Sequence, residues 1–292
     1  MVIIMIFLVL SILMYLVQNF SNKQFSQRNK NSSSDIALVQ NGLCTLVSAI
    51  TLAVCGGVRV LPPYEMLLAV LFGGLYLSVV FLLLKAFTCG SMGASTLLCN
   101  IGPFVSISYG IIRFGDEFTS FIAIGAVCLL GAVILATPKG DNDKEGGMKW
   151  FLLALSSGLV NGVTASAKRE IVAVTDDVRN FLVWGFLFAA LIAFGILVFK
   201  KSGRNSVKNV FGKPSLLLCG VGAGVGTAGA NLFQMEAIFV GVSSAIVYPV
   251  TAGFLVASLW LMSLFVYKET TVRWQNILSV ILCITAIVFI NL

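Results

Sequence analysis

Two stretches decide the reading of this chain: Leu75–Ser95, LYLSVVFLLLKAFTCGSMGAS, and Val225–Ala245, VGTAGANLFQMEAIFVGVSSA. A constant shift of 151 residues sets Lys85 on Glu236, Ala86 on Ala237, Gly90 on Gly241 and Ala94 on Ala245. Each stretch is followed by a similar short charged turn, GDEFT (Gly115–Thr119) in one copy and YKETT (Tyr267–Thr271) in the other, and then by a last apolar run. Weaker matches continue the pattern outward. LVQN (Leu16–Asn19) parallels LVNG (Leu159–Gly162), and QNGL (Gln40–Leu43) parallels RNFL (Arg179–Leu182). No four-residue match carries weight alone; their shared order does.

Composition sets the solvent. Hydrophobic residues make up 58% of the 292 residues and charged residues 11%, with a mean hydropathy of +1.00. A soluble domain carries roughly 45–50% apolar and about 25% charged residues, so this chain could not cover its surface in water. The net charge of +7 is no nucleic-acid signal, because nearly all the Lys and Arg fall in gaps between apolar runs, where topology and headgroup contact account for them.

A membrane span needs about 20 mostly apolar residues. That ruler predicts ten spans, near 2–20, 36–56, 64–86, 91–113, 118–137, 149–168, 178–199, 214–237, 242–266 and 272–291. The first apolar run has no positive flank or A-x-A-like cleavage site and reads as a span rather than a signal peptide. Polar Ser21–Asp35 and the basic stretch Lys200–Lys213 read as loops. The expected class is therefore all-α integral membrane, ten transmembrane helices in two inverted five-helix repeats, at 1–137 and 149–292 with a linker at 138–148. An odd number of spans per copy forces the copies into opposite orientations, the architecture of alternating-access transporters.

Few residues in the spans could carry chemistry. There is no histidine, and the seven cysteines form no C-x-x-C pair, which argues against zinc and against Cys/His catalysis. No cofactor, metal or catalytic group is expected, and the spans lack the clustered acids an interfacial enzyme would need. GVGTAG (Gly224–Gly229) satisfies G-x-G-x-x-G, but without a strand before it the dinucleotide reading fails. Small residues there let a neighbouring helix approach closely. Pro103 and Pro249 each remove a backbone hydrogen bond within a span, tolerated where a cavity or other groups satisfy the freed carbonyls.

In hydrocarbon, polar side chains face the bundle interior. The candidates for a central cavity are Gln18, Asn19, Asn100, Asn161, Trp184, Asn231, Gln234, Tyr248 and Thr251, with Tyr15 and Tyr109 beside them. For each amide the plain alternative is a helix–helix hydrogen bond worth roughly 0.6–2 kcal/mol. Glu236 is the candidate coupling carboxylate; Lys85, at the equivalent position, is long enough to snorkel to the interface.

The Gly-Ala/Ser turns CGSMGAS (Cys89–Ser95) and VGVSSA (Val240–Ala245), each leading into a proline-containing span, and the GDE and YKE turns resemble the drug/metabolite transporter superfamily, EamA-type, along essentially the whole chain. The resemblance implies a substrate cavity among spans 1–4 and 6–9, export of a small organic solute (amino acid, metabolite or drug), and both termini in the cytoplasm. The expected setting is a bacterial inner membrane, with the lipid bilayer and a small-molecule substrate as partners and a proton or another ion as coupling species. The first span departs from the family by carrying Tyr15 and Gln18-Asn19 in place of the usual Trp motif. Most Lys and Arg lie in the loops on the face opposite the termini, which by the positive-inside rule would put the termini outside. The resemblance is preferred here, since a duplicated ancestor has little orientation bias. A flippase for a lipid or lipid-linked precursor, and a non-transporting sensory or structural protein, are the competing readings.

Overall fold

A computed structural model describes residues 2–29, 33–89, 95, 98–99, 101–115, 119–136, 147–242, 247–248, 250–251, 254–255, 258, 261–262, 265–266 and 274–290. The elements are α1 (Val2–Arg28), α2 (Ser34–Gly56), α3 (Pro63–Cys89), α4 (Gly102–Phe114), α5 (Ser120–Ala136), α6 (Gly147–Val174), α7 (Val178–Val198), α8 (Lys201–Phe211), α9 (Pro214–Phe239) and α10 (Trp274–Ile290). Between α9 and α10 the described residues from Val247 to Phe265 are helical. No strand occurs among the described residues. Among the described residues six helices, α1, α2, α3, α6, α7 and α9, are long and apolar enough to cross a membrane. The protein is an all-α molecule with the character of a multi-pass membrane protein.

The helices pair across the two halves of the chain. The most extensive packing joins α1 to α9, α2 to α7, α3 to α6 and α5 to α10; α2 also packs on α9, α3 on α7 and α4 on α6. Lipid tails are as apolar as leucine, so helices associate in a membrane through close packing rather than through burial from water. Glycine supplies the close approach. A Cβ on Gly226 would stand 2.6 Å from Gln18 N and 2.8 Å from Met14 O of α1, and one on Gly224 2.7 Å from Cys44 O of α2. The glycine row of α9 thus serves two neighbours at once, Gly222, Gly226 and Gly229 facing α1 and Gly220 and Gly224 facing α2.

Three boundaries differ from the sequence reading. First, α1 does not stop near residue 20 but runs to Arg28. Its polar tail is not a loop: Phe25 packs into a cluster with residues of α2, α7, α8 and α9, Asn22 Oδ1 accepts from Gln40 Nε2 at 3.3 Å, and Arg28 donates to Ser215 O at 3.1 Å. Second, the Lys200–Lys213 stretch is largely the helix α8, whose Gly203, Ser206 and Val210 are buried at positions three and four apart. Only an amphipathic helix satisfies that spacing, and its cations stay on the exposed side. Third, Pro103 lies in the first turn of α4, where a missing N–H costs nothing. The helix breaks just before it, with Ile101 in a turn. Pro249 and the linker residues 138–146 lie outside the described residues.

Candidate functional site

Two faces of one helix explain the centre of the molecule. On α6, Asn161, Thr164, Ala165 and Lys168 follow the i, i+3, i+4, i+7 spacing that puts residues on a single stripe, and all four line one cavity of about 110 Å³. By the same measure a single water needs about 10–15 Å³, so the space holds a compact solute or several waters. The next two residues turn elsewhere. Arg169 places its guanidinium carbon 3.9 Å from the centre of the Phe114 ring. Glu170 Oε1 accepts from Tyr109 at 2.6 Å and from Arg113 Nε at 3.0 Å, which ties α6 to α4 outside the cavity.

Gln18 and Asn19 of α1 and Asn231 and Gln234 of α9 form the facing wall. Tyr248 and Thr251 close the cavity from the helical residues that follow α9, and Tyr15 and Tyr76 add their phenols. Gln234 is the hub. Its Oε1 accepts from Lys168 Nζ at 2.8 Å and from Tyr15 Oη at 3.0 Å, and its Nε2 donates to Thr251 Oγ1 at 3.1 Å. The amide orientation is determined by its partners. Thr251 spends its proton on the carbonyls of Val247 and Tyr248, so its oxygen can only accept. Tyr248 in turn donates to Ala165 O at 3.1 Å. Four stretches of chain therefore meet through one side chain.

The asparagines are oriented by their own helices. Asn19 Nδ2 donates to Tyr15 O at 2.8 Å and Asn231 Nδ2 to Thr227 O at 2.9 Å, each one turn back. Each NH2 thus has one of its two N–H groups on a carbonyl. Asn231 Oδ1 and Gln18 Oε1 are buried, and no hydrogen-bond partner meets either among the described residues. Gln18 Nε2 donates to Tyr76 Oη at 2.9 Å, and Tyr76 donates on to Thr227 Oγ1 at 3.3 Å.

Among the described residues the lining has one cation, Lys168, and no carboxylate. Glu170 and Glu236 are the only acids on α6 and α9, and neither belongs to it. A buried ammonium has three donors; among the described residues Lys168 uses one, on Gln234.

Of the residues singled out from the sequence, Gln18, Asn19, Asn161, Asn231, Gln234, Tyr248 and Thr251 come together here. Trp184 does not: its indole N–H donates to Arg59 O at 2.8 Å, at the α2–α3 connection that Asn180 also holds through Arg59 N and O. It sits two turns into α7, too near the helix start to reach the centre. Glu236 is half-buried and outside the lining. Asn100 lies outside the described residues.

The sequence reading ends the sixth span at 168 and does not count Lys168 among the cavity candidates. The helix runs on to Val174, placing Lys168 about a turn and a half inside it. The i+7 relation to Asn161 was the available signal.

No family model matches the chain, and no curated protein matches it. A solved structure described only as "Crystal structure of protein" is similar at 15% identity with a TM-score of 0.64, over 96% of this chain and 95% of that one. The two share a fold. At that identity the likeness extends to the fold alone.

Proposed function

We propose that this protein is a secondary transporter of the drug/metabolite type, built as ten transmembrane helices in two inverted five-helix repeats, that exports a small organic solute across a bacterial-type cytoplasmic membrane by alternating access. The observation that carries the reading is the polar cavity itself: amides, phenols and one ammonium gathered at the centre of apolar helices from both halves of the chain. Two of the lining amides, Gln18 and Asn231, keep a carbonyl oxygen with no hydrogen-bond partner among the described residues.

Helix pairing supports the repeat. Exchanging the halves turns α1 into α6, α2 into α7, α3 into α9 and α5 into α10. The α1–α9 contact then becomes α6–α3, α2–α9 becomes α7–α3, and α2–α7 and α5–α10 map onto themselves; all are among the major contacts. The 151-residue shift also carries Val80 to Asn231 and Leu83 to Gln234, and these four residues line the same cavity. A site on a pseudo-two-fold axis is what a rocking mechanism requires.

The test is flux. Purified protein in proteoliposomes should exchange a radiolabelled solute in counterflow, and Asn231→Val should suppress exchange without lowering folded yield. Movement of fluorescent phospholipid between leaflets, with no solute exchanged, would replace the transporter by a flippase. Folded protein with neither activity would leave a sensory or structural role.

A further inference from the structure

We propose that the cavity is an anion site. It takes a small organic solute of net negative charge whose carboxylate or phosphate rests on the Lys168 ammonium and whose hydroxyl or amide N–H groups reach the carbonyl oxygens of Asn231 and Gln18. The inference deepens the transporter reading and rests on it for the word solute, not for the site.

Three observations converge. Among the described residues the lining carries one positive charge and no negative one, so its best complement is an anion rather than a zwitterion or cation. Glu170, two residues along α6, is held away by Tyr109 and Arg113 and offers Lys168 no counter-charge. An ammonium 95% buried, with a neutral amide oxygen as its partner among the described residues, bears a desolvation cost that an opposite charge offsets. The Gln234 oxygen already receives two donors, from Lys168 and Tyr15, so the remaining ammonium donors must find acceptors elsewhere.

The second end of the ligand is set by Asn231. That side chain is fully buried, one N–H of its amide donates to Thr227 O, and its Oδ1 has no partner among the described residues. A carbonyl oxygen in that position accepts from O–H or N–H and repels a second carboxylate. A substrate ammonium would find no acid to pair with here, which favours neutral donors. A monoanion carrying hydroxyls, small enough for about 110 Å³, fits both ends.

The experiment uses the full-length protein, in detergent for binding and in vesicles for flux. Probes of matched size are lactate and glycerate (carboxylates), glycerol 3-phosphate (a phosphate), glycerol and lactamide (neutral), serine (zwitterion) and ethanolamine (cation). Anions should raise the melting temperature and compete in counterflow; comparing glycerate with glycerol 3-phosphate separates carboxylate from phosphate recognition. Lys168→Gln should weaken anion binding about tenfold or more, the scale of one charge-assisted hydrogen bond, and Lys168→Arg should restore part of it. Asn231→Val should reduce the preference for glycerate over lactate. A size-exclusion profile and ligand-free melting temperature establish that each variant is folded. Anion binding that depends on Lys168 without any flux would uphold the site and overturn the transporter. Exchange of neutral, zwitterionic or cationic probes with no response to Lys168→Gln would overturn the anion site and leave the transporter standing. No anion effect on either readout in folded wild-type protein would also overturn the anion site.

Discussion

Tyr76 donates its phenol proton to Thr227 Oγ1 at 3.3 Å, and the two residues are 151 positions apart, the same shift that superposes the two copies in the sequence. Under the proposed inverted repeat, equivalent residues that touch each other lie close to the axis relating the copies. The contact is chemically asymmetric, an aromatic phenol against a small hydroxyl. Cys44 Sγ also lies 3.2 Å from that hydroxyl, and Gln18 donates to the phenol, so the pair belongs to a polar cluster that reaches the cavity through Tyr76 and Gln18.

Tyr76→Phe removes the acceptor of Gln18 and the donor to Thr227 while keeping the ring among Phe72 and Phe186. Destabilisation of about 1–2 kcal/mol is expected, one or two buried hydrogen bonds. A double-mutant cycle with Thr227→Val, followed by thermal melting, should return a coupling of about 0.5–1.5 kcal/mol; additive effects would mean that the Tyr76–Thr227 bond contributes nothing.

Gln234→Leu strips Lys168 and Tyr15 of their shared acceptor. Loss of folded yield is expected, with a cost of about 2–4 kcal/mol for leaving a buried ammonium and phenol unpaired. Lys168→Met/Gln234→Leu should be less damaging than Gln234→Leu alone, because the charge goes with its partner. A double variant worse than the single one would show that the two side chains do not work as a pair.

Gly226→Ala forces a Cβ to 2.6 Å from Gln18 N, a backbone atom that moves only if α1 does. A loss of about 1–3 kcal/mol is expected from such overpacking. Gly74→Ala is the control: nothing lies within 4 Å of its Cβ, and the gain in helix propensity, about 0.5–1 kcal/mol, should leave melting unchanged or slightly raised. Equal effects of the two substitutions would refute close approach as the role of the α9 glycines.

Trp184→Phe breaks the bond to Arg59 O and touches nothing in the cavity. A lower melting temperature with unchanged solute affinity is expected in a binding titration. Glu236→Gln should likewise leave affinity unaltered; a change confined to the pH dependence of flux would give that carboxylate its coupling role.

Glu170→Gln releases Arg113 and weakens the acceptor for Tyr109. The Arg113 and Glu170 side chains are 62% and 30% exposed, so the ion pair contributes at most about 1 kcal/mol. Melting should barely shift. A changed rate of exchange at unchanged affinity, measured by counterflow, would identify the α4–α6 tie as part of the moving apparatus.

Much of this was legible before any coordinates. Apolar runs of about 20 residues determine the class and most helix positions, and amides stand out in them because hydrocarbon offers a polar group no partner. Of the nine residues picked out as cavity candidates, seven line one cavity, and Asn100 falls outside the described residues. What chain order could not supply was direction and depth. Lys168, Arg169 and Glu170 are one charged tripeptide in the sequence; helical rotation sends the first into the cavity and the other two toward α4. The polar tail of α1 and the basic stretch after α7 look like loops until a neighbouring helix buries one side of each. Trp184 shares its polar-aromatic character with Tyr248, yet only Tyr248 lies at the depth where the helices meet. Residue type sets which groups lipid will not accept, a local property written in the sequence. Which of them share a space depends on rotation and register between helices far apart in the chain, and packing alone decides that.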